Sequence, residues 1–118
     1  MFASRAQLHT AIWKLLKHVN GARFWAVDGP TDEAVLAIDA ITENKTERPY
    51  LSSGQEVLLR AAFDIFNGRG NATIYSALRV LDDRNQRALW SLLLAMVDGQ
   101  EAIQRWIDGG PANAEEKR

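Results

Sequence analysis

Apolar residues recur every three or four positions along most of this chain, which is the spacing of helices with one buried face. The first such segment covers residues 4–20, where Ser4 and Gln7 form a capping-box pattern and Gly21 follows as a stop signal. Its apolar positions share one face: Leu8, Ala11, Ile12, Leu15, Leu16 and Val19. The pattern therefore predicts an amphipathic helix at the start of the chain.

The next segment admits two interpretations. Residues 30–33 contain a proline and two acids, which helix N-termini favour, and the apolar residues 34–41 follow them, so we expect a helix there. Asp28 and Gly29 form a turn dipeptide between two apolar segments, which leaves as the alternative a short β-hairpin near residues 23–38, with strands at 23–27 and 34–38.

Polar residues and a proline in 42–52 predict the main internal loop. Ser53 and Glu56 then match a second capping box. Helical spacing and flanking stop signals predict four further helices, at residues 53–67, 72–81, 83–98 and 100–107. A glycine pair and a proline end the last of them, so we expect one helical domain over residues 1–107 and a flexible C-terminal tail over 108–118.

Residues 88–97 are apolar except for Ser91, so this helix is predicted to be apolar on every side and surrounded by other protein. The run is about half the length of ~20 residues that a membrane span needs. Either the core of the same domain or a second copy of the chain would cover it, and we favour the core. We expect an all-α fold, an irregular orthogonal bundle of five or six helices, with the helices of residues 53–67 and 83–97 at its centre.

Composition limits the classes of function. The chain has 118 residues, 47% of them hydrophobic and 25% charged, which is typical of one globular domain. Its net charge of −1 provides no field of one sign to attract nucleic acid or an anionic membrane. Because cysteine is absent, disulfides, thiolate nucleophiles and zinc–thiolate sites are excluded, and we expect a cytoplasmic protein without cofactors and without membrane contact.

Catalytic and metal-binding patterns are weak. His9 and His18 do not have the spacing of three or four residues that places two ligands on one helical face. Gly68, Arg69 and Gly70 suggest a phosphate-binding loop, but the Gly-Lys-Ser/Thr sequence of such loops is missing, so we interpret them as a turn between helices. We therefore expect no metal site and no enzyme activity.

The helices predicted over residues 56–97 have the spacing of a helix-turn-helix unit, which makes a DNA-binding regulator that uses residues 72–97 the alternative hypothesis. The side chains available to contact DNA would be Arg69, Arg84, Asn85, Gln86 and Arg87. The net charge and the adjacent acids Asp82 and Asp83 count against this hypothesis, because they would repel phosphates.

Two of the four tryptophans, Trp90 and Trp106, belong to apolar helical patterns, whereas Trp13 and Trp25 do not. Aromatic residues are enriched among the anchors of protein interfaces. The predicted interaction surface consists of Phe2, His9, Trp13 and Trp25. The resulting hypothesis is a small non-enzymatic interaction or adaptor domain whose partner is another protein or a second copy in a homodimer.

Overall fold

The computed structural model describes residues 3–43 and 51–116, within which six helices account for most of the chain and two short strands form one sheet. The helices are α1 (Arg5–Lys17), α2 (Asp32–Thr42), α3 (Ser53–Asn67), α4 (Ile74–Val80), α5 (Asp83–Asp98) and α6 (Gln100–Glu116). A 3₁₀ turn, Ala22–Phe24, leads into strands β1 (Trp25–Ala26) and β2 (Gly29–Pro30). The predicted all-α bundle with a short hairpin is confirmed.

The observed hairpin is smaller than the one predicted as an alternative from the sequence. Trp25 pairs with Pro30 and Ala26 with Gly29, in antiparallel register. Residues 34–38 belong to α2, because the Thr31 hydroxyl caps that helix by accepting a hydrogen bond from the Ala34 amide at 3.3 Å. A helix and a hairpin therefore both occur, and the version of the hairpin that used residues 34–38 as a strand is wrong.

Side-chain caps begin each helix from α1 to α5, as the sequence signals predict in general. The capping box of α3 is formed by Ser52 and Gln55, one residue before the predicted pair Ser53 and Glu56. Both pairs match the pattern, and the observed register has one further contact. In it, the Gln55 amide nitrogen donates to the Val19 carbonyl at 2.9 Å and ties α3 to the end of α1.

The centre of the core is α1. Four of its side chains are completely buried: Ala11, Ile12, Leu15 and Leu16. This helix packs against α3, α5, α6 and the hairpin, so it occupies the position that the sequence pattern assigned to α3 and α5.

Helix α5 is not surrounded, which corrects the prediction made from its apolar run. Leu92 is fully buried, but Leu94 is 62% exposed and Val97 is 82% exposed on the outer face. The single polar residue of the run has a structural role: Ser91 accepts a hydrogen bond from the Trp106 indole at 2.9 Å and donates one to the Ala88 carbonyl. One face of α5 therefore completes the core and the other remains in water.

Helix α6 begins at Gln100 as predicted but continues to Glu116, so the predicted end at residue 107 is wrong. Its packed residues, Ile103 and Trp106 among them, hold the first part against the core, and extending an existing helix is far easier than starting one. The flexibility expected of residues 108–118 stays a prediction. None of the described helices combines the length and the apolar character that crossing a membrane requires.

Candidate functional site

Two of the residues predicted to form an interaction surface lie in the core. His9 and Trp25 are each 2% exposed, and the Trp25 indole nitrogen donates a hydrogen bond of 3.1 Å to His9 Nδ1. Trp13 is half-buried beside them, and Phe2 lies outside the described residues. The predicted surface is therefore mostly a buried polar–aromatic contact between α1 and β1.

Aromatic rings enclose this contact. Phe63 and Phe66 of α3 pack edge-on against Trp25, with ring centroids 5.3 and 5.5 Å away, and Phe66 also contacts the His9 ring. We call these four residues the His9 cluster. Burial, and secondarily the positive charge of Arg5, lower the pKa of His9, while Asp28 acts in the opposite direction. The ring is therefore held neutral, with Nδ1 as the acceptor for Trp25.

A small pocket of about 290 Å³ opens beside the His9 cluster, between α1 and the hairpin. Trp13 and Val27 form its outer walls, and the rings of His9 and Trp25 form its inner side. Among the described residues of the predicted interaction surface, Trp13 is partly exposed at this pocket, whereas His9 and Trp25 are buried and hold α1 to β1.

The five residues predicted to contact DNA divide into two groups. The Asn85 amide oxygen lies 3.1 Å from His18 Nδ1, and the Gln86 amide donates to the carbonyls of Leu78 and Leu81 at 3.2 and 2.9 Å. These two side chains fix the start of α5 to α1 and to the end of α4. The remaining three, Arg69, Arg84 and Arg87, are exposed.

The loop between α3 and α4 binds an anion of the protein itself. The Asp64 carboxylate accepts hydrogen bonds from the backbone amides of Gly70, Asn71 and Ala72 at 2.9, 3.1 and 2.8 Å. Backbone amides in this arrangement form the kind of concavity that binds phosphate in other proteins. Here a carboxylate occupies it, and the loop serves as the predicted turn between helices.

The same loop approaches α3 closely enough to require glycine. A β-carbon at Gly70 would lie 1.7 Å from the Arg60 carbonyl oxygen, which is backbone and cannot move aside. The Arg60 guanidinium in turn donates to the carbonyls of Gly70 and Asn71 at 3.4 and 3.3 Å. This loop therefore fixes where α4 begins relative to α3.

An apolar groove lies between α3, α4 and α5, and the sequence analysis did not predict it. Its deepest part is a pocket of about 150 Å³ between the three helices, and a shallower part continues along α5 to Val97. Its apolar lining consists of Ala61 and Ile65 from α3, Ile74 and Ala77 from α4, and Trp90 and Leu93 from α5, and the Asp64 side chain lines both parts. We call this surface the α3–α5 groove.

Exposed apolar residues border the α3–α5 groove. Ile74, which lines the deepest part, is 70% exposed, and Val97, which lines the shallower part, is 82% exposed. Leu94 lines neither part, but it is exposed one helical turn from Trp90 and from Val97, at the outer edge of the groove. The sequence signal for this surface was available: Trp90, Leu94 and Val97 recur at helical spacing on the side of α5 opposite to Leu92. That signal was interpreted as evidence of complete burial, because the run is apolar on all sides.

The elements around the groove contain arginines, although the one charged residue that lines the groove itself is Asp64. Residues 69–97 contain four arginines and two acids, and Asp82, one of the acids, caps α5 through the Asn85 amide. The arginines are Arg69, Arg79, Arg84 and Arg87, all exposed, and none is in an ion pair with another described residue. Of the arginines on α4 and α5, Arg87 lies on the groove side, three residues before Trp90, whereas helical spacing places Arg79 and Arg84 on other faces of their helices.

In the described part of the chain, histidines and acids form no cluster of three that could hold a metal ion. No protein-family model, curated protein or solved structure matches the chain, so its own geometry is the basis for assigning a function.

Proposed function

We propose that this chain is a non-enzymatic protein-interaction module that binds an amphipathic acidic helix in the α3–α5 groove. The observation that supports the proposal is an open apolar groove between three helices, bordered by the exposed side chains of Ile74, Leu94 and Val97. Exposed apolar patches of this kind mark interaction surfaces in soluble proteins, and apolar grooves between helices bind the apolar face of a partner helix.

The size of the deepest pocket favours a protein partner over a small molecule. Sites for small molecules are concave, have volumes of about 300–1,000 Å³ and bury most of the ligand. The deepest part of this groove has about 150 Å³, and its larger part, of about 480 Å³, is shallow and open to solvent along α5. A cavity of the smaller volume holds a group of about the size of benzene. One apolar side chain of a docked helix would fill it, while the rest of that helix lies along α5.

Arg87, at the edge of the groove, favours an acidic partner. Complementary charge at the rim of an interface speeds association and rejects partners of the same sign. A helix with acidic residues beside its apolar positions would place a carboxylate near Arg87, which lies three residues before Trp90 on the same side of α5.

Two synthetic peptides test the proposal. Both are alanine-based helices with leucines at positions i, i+3, i+4 and i+7, flanked by glutamates in one peptide and by lysines in the other. We expect the glutamate peptide to bind at least about tenfold more tightly in a calorimetric titration, which corresponds to about 1.4 kcal/mol. Leu94→Glu should abolish that binding.

A matched control is available at the hairpin. Val27 is 89% exposed and is distant in the chain from the groove elements, so Val27→Glu introduces the same charge at another exposed apolar position. We expect Val27→Glu to bind the glutamate peptide as the unmodified chain does. Equal binding by the Leu94→Glu variant, or equal affinity for both peptides, contradicts the proposal.

DNA binding remains the second candidate, and the specific observation in its favour is that Arg84 and Arg87 are exposed on the first turns of α5. Against it, Asn85 and Gln86 are engaged within the protein. Salt-sensitive retention on a mixed pool of duplexes, lost in the double variant Arg84→Ala/Arg87→Ala, would favour DNA. The cytoplasmic setting is also a proposal, which the absence of cysteine supports.

A further inference from the structure

The His9 ring has one nitrogen without a hydrogen-bond partner. Trp25 donates to Nδ1, which fixes the neutral ring in the tautomer that carries its proton on Nε2. None of the described residues accepts a hydrogen bond from Nε2. Every completely buried side-chain nitrogen or oxygen of the described residues has a partner, so Nε2 keeps some contact with solvent although His9 is only 2% exposed. His9 therefore holds a nearly buried N–H donor that is free to bind.

The pocket between α1 and the hairpin gives access to this donor, because His9 is one of the residues that line it. The rings of His9 and Trp25 form its inner side, and the Trp25 indole nitrogen is already engaged with Nδ1. The N–H at Nε2 is therefore the side-chain donor that the inner side offers to a ligand. Mostly apolar walls with a few placed polar groups are typical of sites for small molecules.

The volume of the pocket suits a molecule of two fused rings. It is about 290 Å³, close to the lower limit of about 300 Å³ for small-molecule sites. A cavity of about 150 Å³ holds one benzene molecule, so this pocket has room for two rings. The rings of Trp13 and Trp25 provide aromatic surfaces against which such a molecule can pack.

The surroundings of the pocket favour a neutral ligand and restrain one of its walls. Arg5 and Asp28 act on His9 with opposite signs, so the inner side does not select a charged molecule. The Lys17 ammonium lies 4.9 Å from the centroid of the Trp13 ring, which is a cation–π distance. This contact restrains Trp13 before a ligand binds, which lowers the entropic cost of binding.

We propose that the pocket beside the His9 cluster binds a planar, neutral molecule of two fused aromatic rings with a hydrogen-bond acceptor at its edge. The acceptor takes the hydrogen bond from His9 Nε2, and the rings pack against Trp13 and Trp25. This site shares no residue with the α3–α5 groove, so it does not depend on the proposed function.

Quinoline and indole are the probes that test this site. Both have two fused rings and nearly the same size, and both are uncharged at neutral pH. The quinoline nitrogen accepts a hydrogen bond, whereas the indole nitrogen donates one. Indole would leave the His9 donor without an acceptor, which is penalised in a buried site, so we expect quinoline to bind at least about tenfold more tightly.

The tryptophans report where the probe binds. The chain has four of them, and each indole N–H gives its own signal in a two-dimensional proton–nitrogen correlation spectrum. We expect quinoline to shift the signals of Trp13 and Trp25 along one saturable curve. The signals of Trp90 in the groove and Trp106 in the core should stay unchanged.

Matched variants separate this pocket from other surfaces. Trp13→Ala removes one wall and should weaken quinoline binding at least about tenfold, whereas Trp90→Ala, the same change at another partly buried tryptophan, should leave it unchanged. Circular dichroism checks that both variants are folded. His9→Phe keeps a ring but removes the donor, so it should abolish the preference for quinoline over indole. If His9→Phe does not fold, the two probes on the unmodified chain still test the hydrogen bond.

Three outcomes would overturn this site: no saturable shift with quinoline at millimolar concentration, equal affinity for quinoline and indole, or quinoline shifts confined to Trp90. Binding of the glutamate peptide in the groove is measured separately, so any of these outcomes leaves the proposed function standing.

Discussion

The His9 cluster and the α3–α5 groove are both built from aromatic and aliphatic side chains between helices, yet one is closed and the other is open. In the His9 cluster the two polar ring atoms satisfy each other, since Trp25 donates to His9 Nδ1, and the phenyl rings of α3 cover the pair. In the groove Trp90 is only half-buried, and Leu94 remains in water. Apolar residues therefore contribute to stability in the first region and are available for binding in the second.

Because one region is buried and the other is exposed, substitutions in the two regions should affect different properties of the protein. Burial of apolar surface stabilises the fold by about 25 cal/mol per Å², and the residues at the edge of the groove, Ile74, Leu94 and Val97, keep most of their surface exposed in the single chain. Substitutions in the His9 cluster should therefore change the free energy of unfolding, whereas substitutions at the groove should change association.

The largest effect is expected at Trp25. Trp25→Ala should lower the free energy of unfolding by about 3–5 kcal/mol, because it leaves a cavity beside Phe63 and Phe66. Trp25→Phe keeps a ring but removes the donor to His9, and should cost about 1–3 kcal/mol. Urea denaturation measures both, and a loss below about 1 kcal/mol for Trp25→Ala would mean that the cluster is not part of the core.

The next effect concerns the loop that positions α4. Asp64→Asn keeps the shape of the side chain but turns a charged acceptor of three backbone amides into a group with one acceptor oxygen, so we expect a loss of about 1–3 kcal/mol. Asp98→Asn is the control, since Asp98 is exposed at the end of α5, and it should stay within about 0.5 kcal/mol. Similar losses for both variants would show that the Asp64 bonds contribute nothing specific.

A smaller effect is expected from acidification. Because burial lowers the pKa of His9 in the folded state, the unfolded chain binds the proton first as the pH falls. The contribution of neutral His9 is thus complete above its unfolded pKa of about 6.5 and decreases as the pH falls through the folded pKa.

Thermal denaturation at several pH values measures this effect. His9→Gln can still accept a hydrogen bond from Trp25 but does not titrate, so its stability should fall less between about pH 7 and pH 5. All other side chains are the same in both proteins, so the comparison isolates the effect of His9. If the unmodified chain and His9→Gln had identical profiles of stability against pH, His9 would bind a proton equally well in the folded and the unfolded chain.

Helical spacing and caps were sufficient to predict most of the fold. Those signals are local, because a cap or an apolar stripe depends on residues within a few positions. The predicted end of α6 and the capping box of α3 are wrong because local patterns there allowed more than one register. Gln55 selects the register of α3 through Val19, a contact that no local pattern contains.

The candidate site was harder to predict because it depends on contacts between distant parts of the chain. Trp25 lies in no helical pattern, so it was assigned to the surface, although His9 provides the acceptor that permits its burial. The run around Leu94 was assigned to the interior, although only five described helices and a small hairpin are present to cover α5. The number of elements that pack together decides which apolar residues remain uncovered. The periodicity of apolar residues in the sequence does not predict that number.

The smallest change in stability is expected at Leu94, and it provides the sharpest comparison because Leu92 lies on the same helix. Leu94 is 62% exposed and Leu92 is fully buried, so Leu92→Ala should cost about 2–5 kcal/mol while Leu94→Ala stays within about 0.5 kcal/mol. The measurement is made at a protein concentration where the chain is monomeric, because association would stabilise the folded state by mass action. If Leu94→Ala were as costly as Leu92→Ala under those conditions, the outer face of α5 would be covered by the chain's own residues, and the groove would belong to the core.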